Sequence, residues 1–231
     1  MKPSVTTSAI ILNRVDYGEA DRILTLLTPD HGKLSLMAKG VRKIKSKLAG
    51  GIELFCISTV TFVEGRGSVG TLVSTRLSHH FPRIVQDLDR TTLGYDLLKQ
   101  IHKITEDHPG PEYFKLLSDA LEALDDPKIS LDLIRLWFSA QLLLLGGHSP
   151  NLKTDASGQA LDPSVEYEFD LDKMCLTSKP GGRLGARHIK FLRLVFDTHS
   201  PKVLAQVEGG ELMVGNLAPL VATMLQIHLR V

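Results

Sequence analysis

Residues 33–63 read KLSLMAKGVRKIKSKLAGGIELFCISTVTFV, and this stretch decides the fold of the N-terminal part of the chain. It begins with KLSLMA, in which apolar residues recur at every second position, and it ends with the β-branched run ISTVTFV. Both patterns are typical of strands. Between them lies KGVRKIKSK, residues 39–47, with five cations and no acid. The sequence therefore predicts a basic loop carried by a β-sheet.

The region around this stretch is also rich in strand patterns. Turn signals such as Pro29-Asp30-His31-Gly32 and Gly65-Arg66-Gly67 separate the apolar, β-branched segments. The predicted strands are residues 8–15, 21–28, 33–38, 52–63 and 69–77. Five short strands with no helix between them predict a small barrel, and the OB-fold, a frequent oligonucleotide binder, is the natural choice. An SH3-like barrel fits the pattern nearly as well.

After Phe81-Pro82 the apolar residues follow a helical period. The predicted helices are residues 84–101, 113–124, 129–145, 186–199 and 217–230. Residues 148–182 are rich in Ser, Asp, Gly and Pro, and we interpret them as irregular with a short hairpin from 167–169 to 173–176. The predicted architecture is α+β, with a barrel domain over residues 1–80 and a helical domain over 81–231.

Charge is divided unevenly along the chain. Of the 231 residues, 43% are hydrophobic and 23% charged, as in ordinary soluble globular proteins. Residues 1–80 hold 11 Lys and Arg against 6 Asp and Glu, whereas residues 81–231 hold 16 against 20. The first part is thus predicted to attract anions. Two distant cysteines fit a reducing cytosol, and with neither a signal pattern nor a run of ~18 apolar residues we expect a cytoplasmic protein without a membrane partner.

The basic loop has the composition of a site for a polyanion, most commonly nucleic acid. Its cations, predicted to contact phosphates, are Lys39, Arg42, Lys43, Lys45 and Lys47. Further cations that would extend the surface are Arg14, Lys33, Arg66 and Arg76. Tyr17, at a predicted turn, is the best candidate for stacking on a base, while Phe55, Phe62 and Phe81 are expected in the core. The alternative is a solvated surface loop without a ligand.

Sequence patterns for catalysis and for metal binding are weak. Residues 181–185 (GGRLG) lack the Lys-Ser/Thr of a phosphate loop. The acids Glu19 and Asp21 are expected to be solvent-facing or salt-bridged, and the pair at residues 79–80 is the only His-His sequence, without a nearby third ligand. We therefore expect no enzyme activity, no metal and no cofactor.

An ordered set of short motifs identifies a family. In the barrel these are AIIL (9–12), DYGEAD (16–21), TPDHGK (28–33), AKGVR (38–42) and SKL (46–48), followed by Phe55, Gly65-Arg66-Gly67 and Phe81-Pro82. In the helical part they are Asp87-Leu88 and LLLGG (143–147) with Pro150 and Leu152. This succession resembles the RecO family of DNA repair and recombination mediators, strongly over residues 9–82 and more weakly beyond 160.

The resemblance implies an OB-fold followed by a helical domain with a small knuckle. It implies binding of single- and double-stranded DNA, annealing of complementary strands, and cooperation with RecR to load RecA onto DNA covered by the single-stranded-DNA-binding protein, in the bacterial cytoplasm at the nucleoid. Many members carry a four-cysteine zinc site in the knuckle. Here both thiols of the first pair are replaced in TDASG (154–158) and only Cys175 remains of the second, so we expect a zinc-less, degenerate knuckle at 148–182. The alternative function is an adaptor whose barrel docks protein instead of DNA.

Overall fold

A computed structural model describes residues 3–65, 67–105, 109–198 and 200–229. The chain forms two compact units, Met1–Pro127 and Lys128–Val231. This division differs from the boundary expected at residue 80. The first two helices pack against strands of the barrel, so contact places them in the first unit although their sequence pattern belongs to the helical part.

The first unit contains a closed five-stranded barrel. Its strands are β1 (Ser4–Tyr17), β2 (Asp21–Thr28), β3 (Gly32–Ala38), β4 (Cys56–Val63) and β5 (Val69–His80). The spatial order is β1-β2-β3-β5-β4, with β4 returning to pair with β1, and β3 lies parallel to β5. This Greek-key barrel confirms the OB-fold prediction and decides against the SH3-like alternative.

Alternating side chains fill the barrel. Along β2, for example, Leu24 and Leu26 are fully buried and face the interior, as a two-residue period requires. The barrel core consists of Ala9, Ile11, Leu24, Leu26, Leu36, Ala38, Val41, Ile52, Val60, Phe62 and Leu72. Val41 and Ile52 lie outside the strands, near the two ends of the basic segment. The connection between β3 and β4 is therefore anchored in the core at both ends.

Two helices complete the first unit, α1 (Leu88–Ile104) and α2 (Pro111–Leu124). Asp87 caps α1 by accepting a hydrogen bond from the backbone N–H of Arg90. The buried guanidinium of Arg90 donates to the carbonyl oxygens of Leu124 (2.7 Å) and Asp126 (3.1 Å) at the end of α2. Arg90 thus joins the start of one helix to the end of the other.

The second unit is built on α3 (Leu131–Leu145), α4 (Ala186–Asp197), the short α5 (Pro201–Leu204) and α6 (Gly210–Leu229). Trp137 and Phe138 of α3 are buried, and Trp137 Nε1 donates to the carbonyl oxygen of Thr198 at 2.8 Å. The apolar patterns at 84–101 and 129–145 also predict a groove for partner segments, and this stays a prediction. Large apolar residues of both helices, such as Leu97 and Trp137, lie in the core, whereas Leu88 and Tyr95 are exposed.

The segment 148–182 is more ordered than its composition indicates. It contains β6 (Asn151–Asp155), β7 (Tyr167–Asp170) and β8 (Cys175–Ser178) in a sheet of order β6-β8-β7. The β7–β8 hairpin confirms the prediction. Strand β6 was not predicted, because NLKTD has one apolar residue, Leu152, and one β-branched residue, Thr154, which is too few for the pattern of a typical strand.

The last helix, α6, has the length and apolar composition of a membrane-spanning helix. No run of this kind was expected from the sequence. In the second unit, α6 packs against α3 and α4, and its residues Leu217, Val221 and Met224 are buried. Core helices of folded domains also have this composition.

Candidate nucleic-acid interface

The basic loop connects β3 to β4 and consists of successive tight turns. The backbone N–H of Lys43 donates to the carbonyl oxygen of Gly40 (3.1 Å), and that of Ser46 donates to the carbonyl oxygen of Lys43 (2.9 Å). A short 3₁₀ turn, Ala49–Gly51, follows. The five predicted cations of this loop are all exposed. The loop thus presents a dense set of positive charges on an irregular backbone, as its composition indicates.

The N-terminal half of the loop is pinned to the β1–β2 turn. Gly40 has a positive φ of 65°, a conformation that glycine adopts without a Cβ penalty. Its N–H donates to Oδ1 of Asp21 at 2.7 Å, and the N–H of Arg42 donates to the carbonyl oxygen of Ala20 at 2.9 Å. Asp21 therefore acts as a structural anchor for the loop.

Asp16 joins the loop to the barrel through charge. Its Oδ1 accepts from Arg22 Nε at 2.8 Å, and its Oδ2 lies 3.5 Å from Arg42 Nε. The hydrogen bond from Arg22, aided by the charge of Arg42, lowers the pKa of the Asp16 carboxyl. Asp16 thus stays ionised at neutral pH, and its pairs with Arg22 and Arg42 neutralise part of the positive charge of the surface. Sequence reasoning missed this role, although the cross-strand pairing of Asp16 with Arg22 is the kind of signal that reveals it.

The predicted extensions of the surface differ in their surroundings. Arg14 forms an ion pair with Glu53 at 2.6 Å. Lys33 Nζ donates to the carbonyl oxygens of His102 (3.3 Å) and Thr105 (2.6 Å), so this ammonium caps the end of α1 and its position argues against a phosphate contact. Arg76 is exposed on β5, and Arg66 lies outside the described residues.

Arg76 lies next to a residue that contacts the end of the loop. Its neighbour Thr75 donates through Oγ1 to the carbonyl oxygen of Leu48 at 3.3 Å, at the end of the basic loop. Successive side chains of a strand point to opposite faces, so Arg76 does not share that contact. The structure therefore brings together the loop cations with Arg14 and Tyr17 near the end of β1, whereas Lys33 is engaged at the end of α1.

The aromatic residues divide as the sequence indicates. Phe55, Phe62 and Phe81 are each 2% exposed and belong to the core. Tyr17 is 55% exposed at the end of β1, next to the turn that anchors the loop. Of the aromatic residues considered in the barrel, Tyr17 alone has a ring face accessible to a base.

The weak catalytic patterns have structural roles. The N–H of Gly181 in the GGRLG segment donates to Glu166 Oε2 at 2.9 Å. A phosphate-binding loop would need this amide to donate to the phosphate, but here the carboxylate already accepts its hydrogen bond. His79 packs against the ring of Phe81 with centroids 4.5 Å apart.

The prediction of a zinc-less knuckle rests on Thr154 and Ser157, which stand where the family pattern has its first cysteine pair. Within the described residues, no three His, Cys, Asp or Glu side chains form a group suited to a metal, and the absence of zinc stays a prediction. Instead, Asp155 Oδ1 accepts from Ser157 N–H (2.9 Å), Ser157 Oγ (2.7 Å) and Gln159 N–H (3.0 Å). A hydrogen-bonded turn thus occupies the place of the thiolate pair.

Comparison with known proteins tests the family resemblance independently of the structure. The family model described as "Recombination protein O N terminal" matches residues 1–81, and "Recombination protein O C terminal" matches residues 85–199. A DNA repair protein RecO of Dehalococcoides mccartyi strain 195 is 32% identical over 205 residues, covering 85% of this chain and 80% of the relative. Two further proteins of that name, from Desulfatibacillum aliphaticivorans and Myxococcus xanthus, are 35% and 42% identical; the alignments cover 65% and 51% of this chain and 59% and 48% of the relatives.

Proposed function

Because this chain belongs to the RecO family of DNA repair proteins, we propose that it is a recombination mediator that binds single- and double-stranded DNA without sequence specificity. In this proposal it anneals complementary strands and acts with RecR to load RecA onto DNA covered by the single-stranded-DNA-binding protein. It would do so as a cytoplasmic protein at the nucleoid.

The observation that carries the proposal is the exposed charge of the loop. Lys39, Lys43, Lys45 and Lys47 have no ion-pair partner among the described residues, and Arg42 shares Asp16 with Arg22. Cations that lie close together in sequence and lack acidic partners repel one another, and a polyanion relieves that repulsion. Because Asp21, Val41 and Ile52 hold the loop backbone, little ordering entropy opposes binding.

The same surface explains binding without sequence specificity. Lysine ammonium groups that contact phosphates carry no information about base identity. Annealing follows from neutralisation, since two strands whose phosphates are screened can approach while their bases remain free to pair.

The proposal is tested by the salt dependence of DNA binding. If each of the five loop cations neutralises one phosphate, log K should fall against log salt with a slope of about −3.5 for single strands and about −4.5 for duplex. Replacing the five with Ala should remove most of that slope, as measured by fluorescence anisotropy of labelled DNA in the full chain.

A matched control replaces exposed lysines that lie elsewhere, with the same change in net charge: Lys115, Lys153, Lys173, Lys179 and Lys202. This variant should keep the slope and most of the affinity. Equal behaviour of the two variants, or full affinity in the loop variant, would contradict the proposal. In that case retained binding of a protein partner by the loop variant would favour the adaptor function.

A further inference from the structure

A pocket of about 440 Å³ opens in the first unit between β1, the segment before β4, and α1. Its floor is apolar and consists of Leu12, Leu54 and Leu98. Its volume lies within the range of about 300–1,000 Å³ typical of pockets for small organic groups. None of the functions considered so far uses this pocket.

Tyr95 stands at the mouth of the pocket and is 51% exposed. Its ring packs edge-on against Phe55, with centroids 5.2 Å apart and an interplanar angle of 75°. Edge-to-face packing leaves one face of the tyrosine ring free for a second aromatic group. The ring therefore offers a stacking platform.

The support beneath Tyr95 is rigid. Phe55 is buried and has a φ of 57°, a left-handed conformation that is unusual for a non-glycine residue. Its ring lies so close to Gly94 that a Cβ there would meet Phe55 Cε1 at 2.7 Å. Strained residues of this kind persist where the surrounding structure holds them and cluster at functional sites. The position of Tyr95 is thus set before any ligand arrives.

The pocket also offers hydrogen-bonding groups. Asn13, Asp96 and His102 line it, and together they can both donate and accept. His102 Nδ1 is buried without a hydrogen-bond partner among the described residues. Burial, followed by the charge of Lys33, lowers the pKa of His102, so the imidazole is neutral at physiological pH.

The pocket is continuous with the basic surface. Arg14, which lines it, lies two residues before Asp16 on β1, or about 7 Å along the strand. Asp16 in turn contacts Arg42 of the basic loop. Lys99, exposed and without an ion-pair partner in the described part of the chain, lies on the α1 side. A strand bound along the loop can reach the pocket within a few nucleotides.

We infer that this pocket binds one unpaired base of a DNA single strand, with the base stacked on Tyr95 and its edge facing Asn13, Asp96 and His102. The inference rests on the proposed DNA binding by the basic loop. An apolar floor, an aromatic platform and a polar rim fit a heteroaromatic ring, and Arg14 and Lys99 lie where the flanking phosphates would pass. A base within a duplex is stacked and paired, so it cannot enter. The pocket therefore gives the protein a preference for single strands.

The test compares Tyr95→Ala with wild type in the full chain on three probes: a single strand, a blunt duplex, and a strand of the same length made of abasic sites. Loss of one stacked base costs about 5- to 150-fold in affinity. We expect that loss on the single strand only, with duplex and abasic-strand affinities unchanged. Tyr95→Phe should retain binding. Tyr95→Leu, which keeps an apolar side chain over Phe55, should behave like the alanine variant and guards against misfolding of the latter.

Leu88→Ala is the matched control, since Leu88 is an 80% exposed residue at the start of the same helix. It should bind all three probes as wild type does. If the tyrosine variants lose affinity equally on the three probes, or lose none, the pocket does not bind a base while the proposed function stands. If wild type binds none of the probes, the proposed function and this inference both fail.

Discussion

Lys33 Nζ donates a 2.6 Å hydrogen bond to the carbonyl oxygen of Thr105, at the C-terminal end of α1. A cation at this end of a helix satisfies carbonyl groups that have no partner within the helix and interacts favourably with its dipole. The contact joins strand β3 to α1, 72 residues later in the chain. Lys33 is thus a structural residue of the first unit.

Replacing Lys33 with Ala should lower the free energy of unfolding by about 1–3 kcal/mol, since a charge-assisted hydrogen bond is lost and partly buried carbonyls remain unpaired. It should leave the salt slope of DNA binding unchanged. Urea unfolding followed by circular dichroism, together with anisotropy at several salt concentrations, measures both quantities.

Lys39→Ala is the comparison variant for Lys33→Ala, because it removes a lysine only six residues further along the chain. Lys39 is exposed and has no polar partner in the described residues, so its loss should alter the unfolding free energy by no more than about 0.5 kcal/mol. It should reduce the salt slope instead. If the two variants exchanged these effects, the assignment of Lys33 to stability and Lys39 to binding would be wrong.

Lys33 and Lys39 show how far the sequence predicts the site. Alternation and turn signals suffice for the five strands and the loop between β3 and β4, because these features are local. In the sequence Lys33 and Lys39 are both cations near a turn, and only the packing of α1 onto the barrel separates their roles. Tyr95 was missed for the same reason: it lies on the outer face of a predicted helix, and Phe55, its neighbour in space, is 40 residues away in sequence.

Asp16→Asn should increase affinity for DNA. The substitution removes a negative charge from the basic surface and ends the competition between Asp16 and DNA phosphates for Arg42. The low pKa of Asp16 means that wild type carries this charge throughout the neutral range. We expect several-fold tighter binding of both single strands and duplex at 0.1 M salt, measured by anisotropy.

Glu19→Gln makes the same change in charge on the adjoining turn. Glu19 is exposed, and its side chain has no ion-pair partner in the described part of the chain. It should therefore raise affinity less than Asp16→Asn and leave the slope unaltered. Equal gains from the two variants would show that only net charge matters and that the Asp16–Arg42 contact does not restrain the loop.

Asp155 should make the knuckle sensitive to acid. Hydrogen bonds from the side chain of Ser157 and from the backbone of Gln159 and Ser157 lower the pKa of the Asp155 carboxyl. A carboxylate whose folded pKa lies below its unfolded value of about 3.9 stabilises the fold above that value, and the contribution is lost as the pH falls through the folded pKa. Asp155→Ala should therefore lower the unfolding midpoint at pH 7, and the difference from wild type should shrink as the pH falls below about 3.9.

Asp172→Asn tests whether this effect belongs to the turn. Asp172 is an exposed acid of the same small sheet region whose carboxylate accepts no hydrogen bond within the described residues. Its replacement should leave the unfolding midpoint unchanged at every pH. A loss for Asp155→Ala that does not shrink as the pH falls below about 3.9 would mean that Asp155 does not act through its charged form.

Gly94→Ala should destabilise the protein although alanine favours helices. The new Cβ would lie 2.7 Å from Phe55 Cε1 and 3.3 Å from Leu124 Cδ2, inside a filled core. Overpacking of this kind costs about 1–3 kcal/mol, which exceeds the gain of about 0.5–1 kcal/mol from helix propensity. Displacing Phe55 would also move the platform under Tyr95, so single-strand affinity should fall together with the unfolding free energy.

Gly215→Ala separates the effect of helix propensity from the effect of overpacking. Gly215 lies within α6, and apart from its chain neighbours and the backbone of its own helix, no atom of the described residues stands within 4 Å of the place where its Cβ would be. Only the propensity gain operates there, so the unfolding free energy should rise by about 0.5–1 kcal/mol with DNA binding unchanged. A stabilising Gly94→Ala would mean that Phe55 can withdraw from α1. In that case Tyr95 would lack the rigid support on which its role as a stacking platform depends.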